Sequence, residues 1–108
     1  MDTFKLVYKI LKQIHALGLA EEPDLMLLSP DALKATKEER DDAILMMLDD
    51  ELINGITVIK GIDGQQKPYI LWRDSMPHIT LKGLQYLEEN SMMKKAKNLL
   101  KGFVEIIK

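Results

Sequence analysis

The first pattern of apolar positions along the chain predicts an amphipathic helix near the amino terminus. Its apolar residues recur at spacings of three and four, which places them on one face of a helix. They are Phe4, Val7, Leu11 and Ile14, with Leu6, Ile10 and Leu17 beside them. Asp2 precedes this stripe as a candidate amino-terminal cap. Gly18 is expected to end the helix in the left-handed conformation.

Two further helices are predicted in the first half of the chain. Ser29-Pro30 starts a short second helix, because proline at the first helical position gives up only an N–H that no helical carbonyl would accept. Thr36 and Glu39 form a capping box that starts a third helix, from Lys37 to about Ile53. Its predicted buried residues are Ile44, Met47, Leu48 and Leu52. Little chain separates the two helices, so they are expected to meet steeply, as in a helix-turn-helix.

Beyond Gly55 the pattern changes from helical to extended. The segments ITVIK (56–60) and PYILW (68–72) are rich in β-branched and aromatic residues. The turn signal Asp63-Gly64 lies between them, which predicts a β-hairpin.

Two helices are predicted after the hairpin. A short strand ends at Ile79, and Thr80 is the expected cap of a helix from Leu81 to about Glu89, with Leu84 and Leu87 facing the core.

Asn90-Ser91 is expected to interrupt that helix and to lead into a last one at about 92–107. Its apolar side is formed by Met92, Ala96, Leu99, Phe103 and Ile106, with Leu100 and Ile107 beside them. Its opposite side carries Lys94, Lys95, Lys97 and Lys101.

This order of elements predicts an α+β protein that is mostly α: a winged helix-turn-helix with a β-hairpin wing and two carboxyl-terminal helices. A chain of 108 residues fits one domain, 1–108, in which about 92–107 form a carboxyl-terminal helix extension. The 46% apolar and 30% charged residues are typical of soluble globular proteins. There is no apolar run of about 18 residues. The amino terminus MDTFKLVYKI has no features of a signal peptide, so a cytoplasmic location is expected.

Two segments, at 27–56 and 79–102, carry a family resemblance: LLSPDALKATKEERDDAILMMLDDELINGI and ITLKGLQYLEENSMMKKAKNLLKG. With them the chain resembles the YjcQ family, small winged-helix proteins of Gram-positive bacteria and their phages. The most specific stretch has Thr80 and Gly83 in a Thr-x-x-Gly pattern, followed by Tyr-Leu-Glu-Glu-Asn-Ser. The resemblance implies a winged-helix fold and a phage or prophage association, and the family has no established biochemical activity. At Glu51-Leu52-Ile53 the family is expected to show Glu-Gly-Tyr-Ile, a departure that bears on the end of the third helix.

Charge is divided unevenly along the chain. Residues 1–54 hold 12 acids and 6 bases, a net −6, and residues 55–108 hold 5 acids and 9 bases, a net +4. The third helix carries Glu38, Glu39, Asp41, Asp42, Asp49, Asp50 and Glu51 against Lys37 and Arg40. Winged-helix regulators place this helix in the DNA major groove. Each carboxylate close to a phosphate costs roughly 1 kcal/mol even in a water-like dielectric, so groove insertion by this helix is not expected.

The hairpin and the last helix supply the candidate nucleic-acid contacts, which are Lys60, Lys67, Arg73, Lys82, Lys94 and Lys97. Tyr69 and Trp72 lie among the hairpin residues, a mixture that suits phosphate and base contacts. The alternative interpretation is that both aromatic rings pack on the core while the lysines solubilise an exposed hairpin, which is the commoner arrangement.

The apolar stripe of the last helix supplies the candidate protein interface, Leu99, Phe103 and Ile106. It is expected either to pack against the first helix within one chain or to contact another protein, including a second copy.

Catalytic chemistry finds little support in the sequence. His15 and His78 have no second ligand at metal-binding spacing, and Asp41-Asp42 and Asp49-Asp50 are adjacent in a helix, so each pair points apart. No catalytic residue, cofactor, metal or small-molecule substrate is therefore predicted. Two functions remain open: a winged-helix module that binds protein, and a winged-helix DNA-binding protein of the transcriptional-regulator type that uses the wing and the basic last helix.

Overall fold

The helices and strands follow the predicted order. The computed structural model describes residues 2–61 and 67–91. The helices are α1 (Thr3–Leu19), α2 (Pro30–Leu33), α3 (Lys37–Asp49) and α4 (residues 81–91), with 3₁₀ turns at Leu25–Leu28 and Trp72–Asp74. The strands are β1 (Ile53–Asn54), β2 (Val58–Ile59), β3 (Tyr69–Ile70) and β4 (His78–Ile79). The described chain is mostly helical with small antiparallel sheets, which confirms the α+β, mostly α class.

Helix α1 supplies most of the core and packs against α3 and β4. Its amino terminus is capped as predicted, since the Phe4 N–H donates to the Asp2 carboxylate at 2.9 Å. Its buried residues are Leu6, Val7, Ile10, Leu11, Ile14 and Leu17. Phe4 was placed in this buried face wrongly: it is 76% exposed, because it lies in the first turn, ahead of the part of α1 that the core covers.

The end of α1 also differs from the prediction. Gly18 is an ordinary helical residue, and the helix continues to Leu19. The chain leaves through Ala20, an extended residue with φ −81° whose N–H donates to the Leu17 carbonyl. No left-handed residue is required at this exit.

Helices α2 and α3 begin at the predicted caps. The Ala32 N–H donates to the Ser29 hydroxyl at 3.2 Å. In the capping box, the Glu39 N–H donates to the Thr36 hydroxyl at 3.1 Å, and the Thr36 N–H donates to the Glu39 carboxylate at 3.0 Å. These hydrogen bonds lower the pKa of Glu39, chiefly through the backbone N–H of Thr36.

Both helices end in a left-handed residue that is not glycine. After α3, the Leu52 N–H donates to the Met47 carbonyl and the Glu51 N–H to the Leu48 carbonyl, the two hydrogen bonds of a Schellman motif. Glu51 therefore has φ 61°. The prediction that α3 reaches about Ile53 was wrong, because the chain reverses at Glu51 and enters β1.

The same motif ends α2, with Lys34 at φ 54°. The Ala35 N–H donates to the Pro30 carbonyl and the Lys34 N–H to the Asp31 carbonyl. The ammonium of Lys9, on α1, donates to the Leu33 carbonyl at 3.1 Å and so ties α1 to the end of α2.

The predicted hairpin is one antiparallel pair interrupted by an insertion. At its base Ile53 pairs with Ile79, and further out Val58 pairs with Ile70. Three residues (55–57) connect the paired segments on the outgoing arm and seven (71–77) on the return arm, so four extra residues are accommodated there, and they include the 3₁₀ turn.

Ser75 holds this insertion in place. Its buried hydroxyl accepts from the Thr57 N–H at 2.9 Å and donates to the Leu71 carbonyl at 2.8 Å. The hydroxyl of Thr57 donates to the Asp74 carbonyl at 2.8 Å. Gly55, at φ 80°, accepts from the Met76 N–H, and a Cβ at this position would overlap the Met76 carbonyl.

Helix α4 starts at the predicted cap, because the Gly83 N–H donates to the Thr80 hydroxyl at 3.0 Å. That hydroxyl donates in turn to the Glu51 carbonyl. Gly83 is buried, and a Cβ there would overlap the Leu52 carbonyl oxygen, so glycine permits the close approach of α4 to the end of α3.

The inward face of α4 was predicted only in part. Leu87 is partly buried against the core, together with Tyr86. Leu84 is 38% exposed, which corrects its predicted inward position. It lies one residue after Gly83, and the helical rotation turns it away from the closest contact. Asn90 does not interrupt the helix, since its side chain donates to the Tyr86 carbonyl at 2.8 Å within it.

The predicted Asp63-Gly64 turn and the predicted last helix, about 92–107, lie outside the described residues. Among residues 2–61 and 67–91, none of the helices combines the length and apolar character that crossing a bilayer requires.

Candidate interaction surface

Arg40, in the first turn of α3, points into the protein. It is 8% exposed, and its guanidinium carbon lies 4.6 Å from the centroid of the Trp72 ring. The guanidinium donates to the Leu28 carbonyl at 3.2 Å and to the Asp41 carboxylate at 3.0 Å. Arg40 therefore joins α3 to both 3₁₀ turns, and its charge is not available at the surface.

The surface of α3 is consequently acidic. Its exposed acidic residues, together with those just after its end, are Glu38, Asp42, Asp49, Asp50 and Glu51. We call this set the α3 acidic surface. On α3 itself, Lys37 is the exposed basic residue. Asp49, Asp50 and Glu51 lie at the carboxyl-terminal end of α3, which is the negative end of the helix dipole and favours cations. The last turn of α3 contains no basic residue that would offset these charges.

The hairpin lysine Lys67 is held by this surface. Its ammonium lies 2.7 Å from the Asp42 carboxylate, with both side chains exposed. The hydrogen bond to Asp42 and the charge of Asp42 raise the pKa of Lys67, and the charges of Glu38 and Asp41 add to the effect.

The other described candidates for nucleic-acid contacts are spread over three elements. Lys60 is exposed just after β2, and Arg73 is exposed on the 3₁₀ turn of the return arm. Lys82 lies in the first turn of α4 and lines a pocket of about 400 Å³ together with Asp50 and Glu89. Lys94 and Lys97, and the interface candidates Leu99, Phe103 and Ile106, lie outside the described residues.

The two aromatic residues of the hairpin occupy different environments. Trp72 packs against the core and on Arg40. Tyr69 is 52% exposed, in the strand that pairs with β2. Trp72 therefore fits the interpretation in which the aromatic rings pack on the core. Tyr69 does not, since its side chain is exposed.

An apolar groove lies between the first turns of α1, the end of α3 and α4. We call it the α1/α3 groove. Its lining residues are Thr3, Phe4, Val7, Met46, Met47, Asp50, Leu52 and Tyr86, and its volume is about 320 Å³. Phe4 and Met46 are its exposed apolar side chains, Met46 at 53%.

The groove continues toward the start of α3 into a second pocket of about 270 Å³. The two pockets share Thr3 and Met46, and the second adds Glu39 and Asp42. None of the described residues that line the two pockets is basic. The surface thus combines apolar contact area with an acidic edge.

The two histidines lie apart. His15 lines a separate pocket between α1 and α4 with Tyr8 and Lys12, and His78 is exposed in β4. Within the described ranges, no group of three or more His, Asp and Glu side chains could hold a metal ion.

The burial of Arg40 and the exposure of Met46 were not predicted from the sequence. Arg40 precedes Ile44 by four residues and Met47 by seven, so it shares the buried face of α3. This spacing indicates burial, but a charged residue is normally expected at the surface. Met46 adjoins the buried Met47, and adjacent positions of a helix face different directions.

The fold and the surface define a small α+β protein with an acidic third helix beside an apolar groove. The YjcQ family model, described as YjcQ protein, matches residues 8–106, and the chain belongs to this family. Searches of curated proteins and of solved structures each returned no match.

Proposed function

We propose that this YjcQ family protein is a non-enzymatic winged-helix interaction module that binds another protein through the α3 acidic surface and the α1/α3 groove. The observation that carries the proposal is the burial of Arg40 against Trp72. It removes one of the two basic residues of α3 from solvent and leaves Lys37 among exposed carboxylates.

Electrostatics disfavours DNA as the ligand of α3. A carboxylate about 4 Å from a phosphate is repelled by about 1 kcal/mol in water and more strongly beside a protein surface. Helices that enter the major groove position themselves with basic side chains against the phosphates. Of the four described lysine and arginine candidates, Lys67 is paired with Asp42 of α3, and Lys82 lines a pocket that also contains Asp50.

The same features favour a basic amphipathic segment as the partner. A lysine placed at the end of α3 would meet the helix dipole and the carboxylates of Asp49, Asp50 and Glu51. Apolar side chains next to that lysine, on the face of the segment turned toward the protein, would cover Phe4 and Met46. Recognition of an amphipathic helix by a hydrophobic groove is a common mode of protein binding. The proposal includes the cytoplasmic location expected from the amino-terminal sequence and the phage or prophage association that the family resemblance implies.

A peptide titration tests this function. The protein is titrated against a fluorescent, lysine- and leucine-rich amphipathic peptide, and binding is measured by anisotropy. Neutralising Asp49, Asp50 and Glu51 to Asn, Asn and Gln is expected to weaken binding at least tenfold, about 1.4 kcal/mol. The matched control neutralises three exposed carboxylates elsewhere, at Glu21, Glu22 and Glu88. Equal loss in both triple variants would mean nonspecific charge attraction and would contradict the proposal.

The alternative function is DNA binding by the hairpin, and the exposed ring of Tyr69 favours it. Tyr69 pairs with Ile59, so Lys60 and Lys67 flank it on the two arms near the hairpin tip. An exposed aromatic ring between lysines suits stacking and phosphate contacts. In this function Lys60, Lys67 and Arg73 contact the phosphate backbone of DNA. Lys67 must then break its ion pair with Asp42 and bind a phosphate instead.

A further inference from the structure

We propose that Lys67 of the hairpin is an internal competitor for the basic partner: its ion pair with Asp42 neutralises one end of the acidic edge of the groove, and the partner must displace it to bind there. This inference rests on the proposed function, because it names how the chain itself regulates the affinity of that site for a basic segment.

One wall of the α1/α3 groove and of the pocket that continues it is formed by three residues of α3 and its carboxyl-terminal cap. Asp42, Met46 and Asp50 are four positions apart, so they lie on the same face, one helical turn after another. Met46 lines both pockets, Asp42 lines the one toward the start of α3, and Asp50 lines the groove itself. The wall therefore offers a carboxylate, an apolar side chain and a second carboxylate in that order.

This order defines the pattern that a partner needs. The two carboxylates are eight positions apart, which corresponds to about 12 Å along α3. A helical segment lying along the wall meets both of them if it carries two lysines about eight residues apart. Apolar side chains between these lysines would cover Met46 and Phe4. Each lysine contact adds electrostatic attraction, so the loss of either one lowers the affinity.

Lys67 already occupies one of the two carboxylates. Its ammonium lies 2.7 Å from Oδ1 of Asp42. The Lys67 side chain is 69% exposed and that of Asp42 50%, so the pair can open without uncovering the core. Within residues 2–61 and 67–91, Asp50 has no such ion pair. The two ends of the wall therefore differ, and only the Asp42 end is already occupied by a cation from the described part of the chain.

A second ammonium at Asp42 is opposed by the first. A carboxylate can accept from more than one donor, but two ammonium groups on the same carboxylate lie close together and repel each other. A partner lysine at Asp42 therefore either displaces Lys67 or binds against its charge. Both routes lower the affinity of the wild-type protein for a basic segment.

The competition is weak enough for a partner to overcome it. Exposed ion pairs contribute little to stability, because solvent screens the charges and both side chains lose freedom. Removal of the Lys67 ammonium is accordingly expected to tighten the binding of a basic peptide about two- to fivefold. Lys67 thus tunes the affinity of the groove and does not abolish it.

Anisotropy titrations of the fluorescent lysine- and leucine-rich peptide with the full-length protein test the inference. Lys67→Ala should bind about two- to fivefold tighter than the wild type. Lys67→Arg retains a charged donor for Asp42 and should bind like the wild type. The matched control, Lys60→Ala, removes the same charge from the other arm of the hairpin and should leave the affinity close to that of the wild type. Circular dichroism checks that all variants are folded.

The Asp42→Asn background separates competition from general charge attraction. Asparagine leaves Lys67 without the carboxylate that it neutralises, so adding Lys67→Ala should no longer tighten binding. Equal tightening by Lys67→Ala and Lys60→Ala, or tightening that persists in full in Asp42→Asn, overturns the inference.

The same titrations distinguish failure of the competition from failure of the proposed function. A peptide that binds the wild type and Lys67→Ala with equal affinity overturns the competition alone and leaves the proposed function standing. A peptide that binds neither of them overturns both.

Discussion

The guanidinium of Arg40 lies over the Trp72 ring at 4.6 Å from its centroid and joins α3 to the return arm of the hairpin. These two residues are 32 positions apart in the sequence, and their contact fixes the position of the 3₁₀ turn against α3. The contact also determines the charge of the α3 surface, because it buries a cation that would otherwise offset the carboxylates.

Replacing Arg40 with alanine is expected to lower the free energy of unfolding by about 2–4 kcal/mol. The substitution removes the stacking on Trp72 and leaves the Leu28 carbonyl and the half-buried Asp41 without their donor. Lys37→Ala, at an exposed position of the same helix, should change stability by less than about 0.5 kcal/mol. Urea denaturation followed by Trp72 fluorescence measures both. Equal stabilities of the two variants would show that the Arg40 contact contributes nothing.

Gly83→Ala is expected to destabilise the protein by about 3 kcal/mol or more, because the added Cβ overlaps the Leu52 carbonyl and forces α4 away from the end of α3. Gly18→Ala provides the comparison, since a Cβ there meets nothing within 4 Å. Alanine is favoured over glycine within a helix, so Gly18→Ala should stabilise by about 0.5–1 kcal/mol. Thermal unfolding measures both variants, and the unfolding temperature should fall for Gly83→Ala and rise for Gly18→Ala. A neutral Gly83→Ala would contradict the close packing of α4.

Glu51→Gly is expected to stabilise the protein by about 0.5–1 kcal/mol. Glycine adopts φ 61° without the steric cost that glutamate carries, and one carboxylate is removed from the negative end of α3. Glu89→Gly, at an exposed helical position of α4, should destabilise by about 0.5–1 kcal/mol. The free energy of unfolding of both variants is measured by chemical denaturation. If both substitutions change it in the same direction, the left-handed conformation of Glu51 is ruled out.

The Lys67 ammonium should titrate above its ordinary pKa of 10.5, because its hydrogen bond to Asp42 and the charge of Asp42 favour the protonated form. A raised pKa in the folded state means that the ion pair stabilises the protein fully below pH 10.5 and is lost as the pH rises through the higher folded value. NMR titration of the lysine side chain in the wild type and in Asp42→Asn measures the difference. Asp49→Asn is the control and should leave the Lys67 titration in place. A titration of Lys67 that is insensitive to Asp42 would exclude the pair.

Local signals allowed much of the fold to be predicted. Thr36, Ser29 and Thr80 each cap a helix through a hydrogen bond to the residue three positions later, so short stretches of sequence contain the whole interaction. The pairing of β2 with β3 followed in the same way from two β-rich runs around a turn signal.

The remaining features depend on contacts that the sequence pattern does not contain. The end of α3 was misplaced because Glu51 occupies a position that glycine usually marks. The burial of Arg40 requires Trp72, which the chain brings close only after the hairpin has formed. The α1/α3 groove requires three helices, and the exposure of Phe4 at its edge follows from their packing and not from its spacing in α1.

The most direct test of a protein-binding function is an anisotropy titration of mixed-sequence duplex DNA with the wild-type protein at micromolar concentration and about 50 mM salt. We expect no detectable binding, because α3 presents carboxylates and Lys67 is paired with Asp42. Binding that weakens linearly on a log–log salt plot, and weakens further when Lys60, Lys67 and Arg73 are changed to alanine, would contradict this account and establish the hairpin as a nucleic-acid contact.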